Sequence, residues 1–238
     1  YVGDPINAVK TFNEKEVDEL IISDIDASVL KREPNFDLIK KFAEESRMPL
    51  CYSGGVKTLE HVSKIIQLGI EKVGISSKAI EDEEFIKQAA ALVGSQSVVG
   101  ILDIKKGLFG GYSAYIENGK KKIKKDFIEI ILMMQDAGVG EIVINSIDRD
   151  GTKEGFDFDL VDKLIPLIRV PLTILGGAGS YNDIKKVAKR YGIIGISAGS
   201  LFIYQGRYDA VLINFLSRED IEDIENITKN VYQIKWKY

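Results

Sequence analysis

The chain has 238 residues, 45% of them hydrophobic, enough for a sizeable core in one large domain or two small ones. A net charge of -4 and a pI near 5.3 argue against a general nucleic-acid or membrane-surface role, and the single cysteine, Cys51, excludes an internal disulfide and any multi-cysteine metal site. No apolar run approaches the ~20 residues of a membrane helix and no signal peptide is visible, so a protein of the reducing cytoplasm is expected.

Asp4 and Pro5 cap and open a helix over 4–16. Strand 19–25 follows, ending in Asp24, Asp26 and Ser28. Helix 35–46 leads to strand 49–53 and the turn Ser53-Gly54-Gly55, and helix 58–68 leads to strand 72–76 and Ser76-Ser77. Helix 82–92 precedes strand 97–104, which ends on Asp103 and Lys105. Strand–helix alternation at a spacing of roughly 20–25 residues signals parallel βαβ units. Residues 106–123 break that rhythm: alternating residues surround Asn118-Gly119, a strong hairpin signal, and read as a flap inserted after the Asp103 strand. Helix 124–137, strand 141–147, helix 157–168, strand 171–175, helix 181–190 and strand 193–197 restore the pattern. Ala198-Gly199-Ser200 then opens a turn, 208–216 reads as a closing helix, and 218–238 is a charged amphipathic tail that caps the fold or is partly mobile.

An internal repeat sharpens the fold. Pro49-Leu-Cys-Tyr-Ser-Gly-Gly55 aligns with Pro171-Leu-Thr-Ile-Leu-Gly-Gly177 at an offset of 122, which also sets Ser23-Asp24-Ile25-Asp26 on Asn145-Ser146-Ile147-Asp148. Two similar halves built for four strands each predict a (β/α)8 TIM barrel, a single domain over 1–238. Only seven strands are counted, so the first strand is expected to be missing from the given sequence, since an open barrel exposes a buried-type edge.

Polar residues just after parallel strands mark the ligand end of such folds. Gly54 and Gly55 with Ser76 and Ser77 would make one anion cradle, and Gly177 with Gly199 and Ser200 a second, because glycine lets backbone N–H groups approach a phosphate. The bland alternative is that these glycines only permit tight turns; two related turns on one barrel mouth favour an elongated substrate with a phosphate at each end. Asp103 ends a hydrophobic strand, where a bare carboxylate is costly, so it is either paired, for example with Lys105, or catalytic. Asp148, Arg149 and Asp150 could position substrate or merely cap their loop, and Asp24 and Asp26 stand in the matching place. With His61 as the only histidine, and expected on a solvated helix face, acid–base chemistry would fall to carboxylates. Cys51 and Met133-Met134 read as core, and the lysines of 120–125 as solvated.

Ser146-Ile-Asp-Arg-Asp-Gly-Thr152, Gly176-Gly-Ala-Gly179 and Asp24…Ala27-Ser28 resemble the cyclase subunit of imidazole glycerol phosphate synthase (the HisF family), over residues 1 to about 216. The resemblance implies a closed barrel with two phosphate sites and no cofactor or metal. It implies a glutaminase subunit (HisH-like) docked at the opposite face, whose ammonia crosses the barrel to a bisphosphorylated ribulosyl imidazolecarboxamide. Two aspartates would then act as general acid and base. Asp103 matches one of them; the other would stand on the first strand. Gly55 and Ser77 match one phosphate site, with Ser76 beside them where the family usually has asparagine. Asp150, Gly151, Gly177, Gly199 and Ser200 match the other. Glu19, Lys72 and Glu141 match a charged ammonia gate, and Glu71 a position that contacts the glutaminase. Asn145 and Leu175 depart from the small hydroxyl residues usual at their positions, and Tyr52-Ser53 precede a shortened glycine run. Those departures leave a second expectation open: a HisF-like paralogue that conducts ammonia to a sugar amidotransferase for surface-glycan amidination.

Overall fold

The computed structural model describes residues 3–235, so the ends of the single domain expected over 1–238 lie outside the described residues. Helix α1 (Pro5–Glu14) starts where the Asp4 carboxylate accepts from the Ile6 N–H and Pro5 occupies a position that needs no donor. Next come β1 (Leu20–Ser23), α2 (Phe36–Glu45), β2 (Leu50–Ser53), α3 (Leu59–Gln67), β3 (Lys72–Ile75), α4 (Ser77–Glu81), α5 (Glu83–Val93) and β4 (Val98–Lys106). Strands β5 (Tyr112–Ile116) and β6 (Lys121–Lys122) form the flap. After it run α6 (Phe127–Asp136), β7 (Glu141–Ser146), α7 (Phe158–Leu164), β8 (Leu172–Leu175), α8 (Tyr181–Tyr191) and β9 (Gly195–Ser197). The chain continues through α9 (Ser200–Ile203), a hairpin of β10 (Tyr204–Gln205) and β11 (Ala210–Val211), and α10 (Arg218–Lys235).

Seven strands, β1-β2-β3-β4-β7-β8-β9, pair in parallel in that order, and the helices between them give an α/β TIM-barrel-like fold. Among the described residues β1 and β9 end the path. A cleft of about 410 Å³ separates them, lined by Leu20 and Ile21 on one side and Ile194, Ile196 and Ala198 on the other. The main core lies between sheet and helices, where Ile39, Ile65, Ile86, Ile130, Met134 and Leu164 are fully buried. No described helix is long and apolar enough to cross a membrane.

The repeat extends to individual hydrogen bonds. Leu20 N–H donates to the Pro49 carbonyl at 3.0 Å, and 122 residues later Ile142 N–H donates to the Pro171 carbonyl at 2.9 Å. Asn35 caps α2 by accepting from Leu38 N–H, as Asp157 caps α7 by accepting from Leu160 N–H, both at 3.1 Å. Thr58 and Ser180 cap α3 and α8 through the N–H groups of His61 and Asp183. His61 is therefore the counterpart of Asp183, and it does the same job. Its Nδ1 accepts from Lys57 N–H at 3.4 Å, while Asp183 accepts from Gly179 N–H at 3.3 Å. This overturns the expectation of a solvated histidine: His61 is only 7% exposed, tucked edge-on against Phe36.

Two other expectations change. No helix spans 208–216. Gly206 and Asp209 take left-handed φ values of 73° and 47°, and Leu212 and Asn214 N–H groups then bond back to Ile203 and Phe202 in extended chain. The helix expected at 82–92 is preceded by a separate short one, α4, because Asp82 leaves helical geometry to cap α5 through Phe85 N–H. The tail forms α10, which the Tyr181 hydroxyl anchors by donating to the Asp223 carboxylate at 2.7 Å, while Lys185 pairs with the same carboxylate.

The flap follows β4. β5 pairs antiparallel with the end of β4, and Glu117, Asn118 and Gly119 all take left-handed φ in the turn to β6. Its base is fixed by Tyr112, whose hydroxyl donates to both oxygens of buried Asp157 at 2.9 and 3.0 Å; burial, reinforced by that carboxylate, pushes the phenol up to about 12. Asp157 thus caps α7 and holds the flap at once. Asp157→Ala should cost about 2 kcal/mol, from a lost cap plus an orphaned hydroxyl, whereas at its repeat counterpart Asn35→Ala loses the cap and costs about 1 kcal/mol. Urea unfolding of the two variants measures the difference.

Candidate active site

Strand alternation sorts the residues that matter. Cys51, Val99 and Val143 form a small buried cluster with Ile21, Ile101 and Leu175, apart from the helix-covered core, and this marks the inward face of the sheet. Side chains two residues away on the same strands share that face. One layer toward the strand starts lie Glu19, Lys72, Glu141 and Thr173; one layer toward the strand ends lie Ser23, Ser53, Asp103 and Asn145.

The first layer is a closed set of contacts. Lys72 Nζ donates to Glu19 at 2.7 Å and to Glu141 at 2.8 Å, and the Thr173 hydroxyl donates to the other oxygen of Glu141 at 2.7 Å. Burial works against the Lys72 ammonium, but its hydrogen bonds to Glu141 and Glu19 outweigh it and hold its pKa above the ordinary value. The three expected gate residues are therefore together. Thr173 joins them; alternation from Leu175 was the signal that would have found it. Glu71, one residue from Lys72, is exposed and accepts from the Leu50 N–H at 2.7 Å, so it ties the starts of β2 and β3. Cys51 sits in the middle layer with no exposure, and desolvation raises its thiol pKa far above any working pH, so it is inert.

At the other end Asp103 stands beside Asn145, its direct partner in the β4–β7 register, and accepts from Asn145 Nδ2 at 3.0 Å. Lys105 does not pair with it; Lys105 reaches Asp148 instead, at 3.9 Å. Desolvation raises the Asp103 pKa, the Asn145 hydrogen bond opposes that, and Asp150 adds repulsion in the same direction as burial. Such an environment makes a carboxyl easier to protonate than an exposed one. Ser23 and Ser53 hydroxyls bond each other at 2.6 Å in the same layer. Asn145 Oδ1 is buried without a partner, alone in this among the described residues, and Leu175 follows it in register on β8.

The glycine turns lie where the strands end, but their glycines meet protein first. A side chain at Gly54 would strike the Asp24 carbonyl oxygen at 2.5 Å, and one at Gly176 would strike Ser146 the same way at 2.5 Å, the repeat again. Gly55 (φ 70°) faces the Arg32 carbonyl at 2.7 Å, and Gly177 (φ 106°) abuts the Gly155 carbonyl. The loop 149–155 thus packs on Gly177, whose carbonyl accepts from Gly155 N–H at 2.7 Å. Gly151 lies near Ser200, whose hydroxyl would be 3.9 Å from an added Cβ, while at Gly199 an added Cβ would meet open space. The second set, Asp150, Gly151, Gly177, Gly199 and Ser200, is therefore gathered around one place. Ser76 and Ser77 begin α4 with no side-chain cap, at the end of the strand next to the one that carries Gly55. Asp24 caps its own turn through Ala27 N–H and pairs with Arg32, and Asp148 accepts from Lys106 N–H, so for these two the bland reading describes what is seen.

Residues 1–209 match the model of the histidine biosynthesis protein family. The chain is 51% identical over 218 residues to the Vibrio vulnificus protein named "Putative imidazole glycerol phosphate synthase subunit hisF3", covering 91% of this chain and 84% of that protein. A Pseudomonas aeruginosa protein with the corresponding hisF2 name is 51% identical over 215 residues, covering 90% and 86%. The Streptococcus sanguinis protein named imidazole glycerol phosphate synthase subunit HisF is 34% identical over 203 residues, covering 85% and 81%.

Two outcomes follow from the geometry. Lys72→Met leaves two carboxylates facing each other without their cation. Because the three side chains are between 13% and 30% exposed, the loss should be about 2 kcal/mol, below that of a fully buried pair. Asp103 has a raised pKa in the folded chain, so its ionised form costs stability; the cost is absent below the ordinary carboxylate range and grows as pH rises through and above it. Asp103→Asn should therefore melt higher than the parent at pH 8 and with it at pH 4. Calorimetry at the two pH values checks this.

Proposed function

The chain belongs to the histidine biosynthesis protein family as a HisF-type member, and from that premise we propose that it is the cyclase subunit of an imidazole glycerol phosphate synthase. It takes ammonia from a glutaminase subunit and uses it on a bisphosphorylated ribulosyl imidazolecarboxamide, giving imidazole glycerol phosphate and aminoimidazole carboxamide ribotide.

The observation that carries this reading is that the Lys72–Glu19–Glu141 set and the Asp103–Asn145 pair are two ends of one inward face. On β7 Glu141, Val143 and Asn145 stand in line, and four residues of strand separate the ends by about 13 Å. Ammonia released at the Glu71 side would meet fixed charges, pass an apolar middle layer, and emerge beside a carboxyl poised for proton transfer. Asp103 as carboxylate takes a proton from the attacking nitrogen; as acid it returns one to the departing group. The raised pKa suits both duties. Asp150, Gly151, Gly177, Gly199 and Ser200 hold one substrate phosphate, and Gly55, Ser76 and Ser77 the other, through backbone N–H groups at the strand ends.

Leu175 favours a second reading. It stands in register with Asn145, where it offers a substrate no hydrogen bond. In that reading the barrel conducts ammonia to a docked sugar amidotransferase and performs no cyclisation.

Asp103→Asn separates the two. Ammonium-driven turnover of the bisphosphorylated ribotide should fall about 100-fold or more, the usual worth of a general acid–base group. A parent protein that binds its glutaminase and turns over no ribotide, with glutamine hydrolysis indifferent to Asp103, would replace the cyclase by the conducting reading.

A further inference from the structure

The Asn145 amide contains an imbalance. Its Nδ2 arm donates to Asp103 at 3.0 Å, while its Oδ1 arm is buried with no partner. An acceptor left this way costs roughly 1–3 kcal/mol. An ionised carboxylate can only accept, so only Nδ2 can face it. A protonated carboxyl carries an O–H donor, and then Oδ1 is the arm that belongs opposite it. A half-turn of the amide about its last bond exchanges the two arms with little change in shape. The glycine at 176 leaves room for this: an added Cβ there would lie 3.3 Å from Oδ1.

We propose that Asn145 is the positioning residue of Asp103 and that its amide turns over with the proton, donating from Nδ2 to the carboxylate and accepting at Oδ1 from the carboxylic acid. The pair then stays hydrogen-bonded in both states, so Asp103 can take up and release a proton without swinging away from the reacting atoms. The catalytic consequence rests on the cyclase reading, whereas the turnover of the amide does not. The other titratable or charged groups around Asp103 are Asp150 and Asp148 in the loop after β7, Lys105 two residues along β4, and Tyr115 opposite it on β5.

A small hydroxyl can both donate and accept from one atom, so Asn145→Thr keeps the two-way bond, and Asn145→Leu removes it. The test begins with the Asp103 carboxyl, followed by carbon NMR in protein labelled at aspartate, with no substrate present. Asn145→Leu should move its midpoint up, because of the two bonds it removes the one to the charged carboxylate is the stronger, and Asn145→Thr should leave it near the parent's. Neutron diffraction of the deuterated parent on either side of that midpoint then reads the amide directly. Nδ2 with its deuterons should face Asp103 above it, and Oδ1 should face a deuterated carboxyl below it. The same amide orientation at both pH values, or a midpoint that Asn145→Leu does not move, would overturn the proposal. If the ribotide is turned over, Asn145→Leu should also lose about 10- to 100-fold in kcat with its pH profile displaced, and Asn145→Thr should restore both to within a few-fold. Absence of turnover in the parent would count against the cyclase reading alone, because the NMR and neutron results stand without it.

Discussion

The register between β4 and β7 is the constraint on which the rest depends. Val99 pairs with Glu141, Ile101 with Val143 and Asp103 with Asn145, so every second rung of this ladder faces inward. A slip of one residue would turn Asp103 and Glu141 outward together and bring Leu102 and Ile142, both fully buried in the helix-covered core, into the interior. The same alternation that buries the core thus lines up a charged layer, an apolar layer and a polar layer. Neither end of the site could be moved without unmaking the fold. The flap adds to this constraint, because β5 pairs with the last residues of β4 and Tyr112 ties it to the cap of α7.

The charged layer and the polar layer solve opposite problems. Charges at the strand starts are costly to desolvate singly, so they are matched: two carboxylates share one ammonium, and Thr173 supplies a further donor to Glu141. At the other end, Asp103 has no cation partner among the described residues; its hydrogen bond there is with a neutral amide, and burial leaves its pKa raised. On the cyclase reading, the stability lost there serves the proton chemistry of the site.

Much of this was legible in the sequence because it is written twice. The 122-residue repeat carries the caps, the strand starts and the glycine contacts from one half to the other, and seven strands could be read from it in order. Asp103 was legible as a carboxylate ending a hydrophobic strand, and the Glu19–Lys72–Glu141 set through the resemblance to the HisF family. What escaped was whatever depends on side chains meeting across distance. His61 looked solvated on a helical pattern, yet its position in the repeat is that of a capping carboxylate, and capping buries it. The segment 208–216 has helical periodicity, but Gly206 and Asp209 bend the chain first. Gly55 and Gly177 also pack against the carbonyls of Arg32 and Gly155, and the contact of Gly55 with the segment before α2 was not announced by its turn. The tail's docking on α8 rests on Tyr181 meeting Asp223, which no local pattern announces.

The central claim is that ammonia reaches Asp103 through the inward face. The most direct measurement compares glutamine-driven with ammonium-driven turnover in the glutaminase complex after Val143→Phe, which fills the apolar layer between the two ends. Ammonium from solution can enter at the mouth, so it also reports that the variant is folded. The account predicts that glutamine-driven turnover falls at least about 10-fold while ammonium-driven turnover holds within a few-fold. Equal rates from both sources, unchanged from the parent, would contradict a route through this interior.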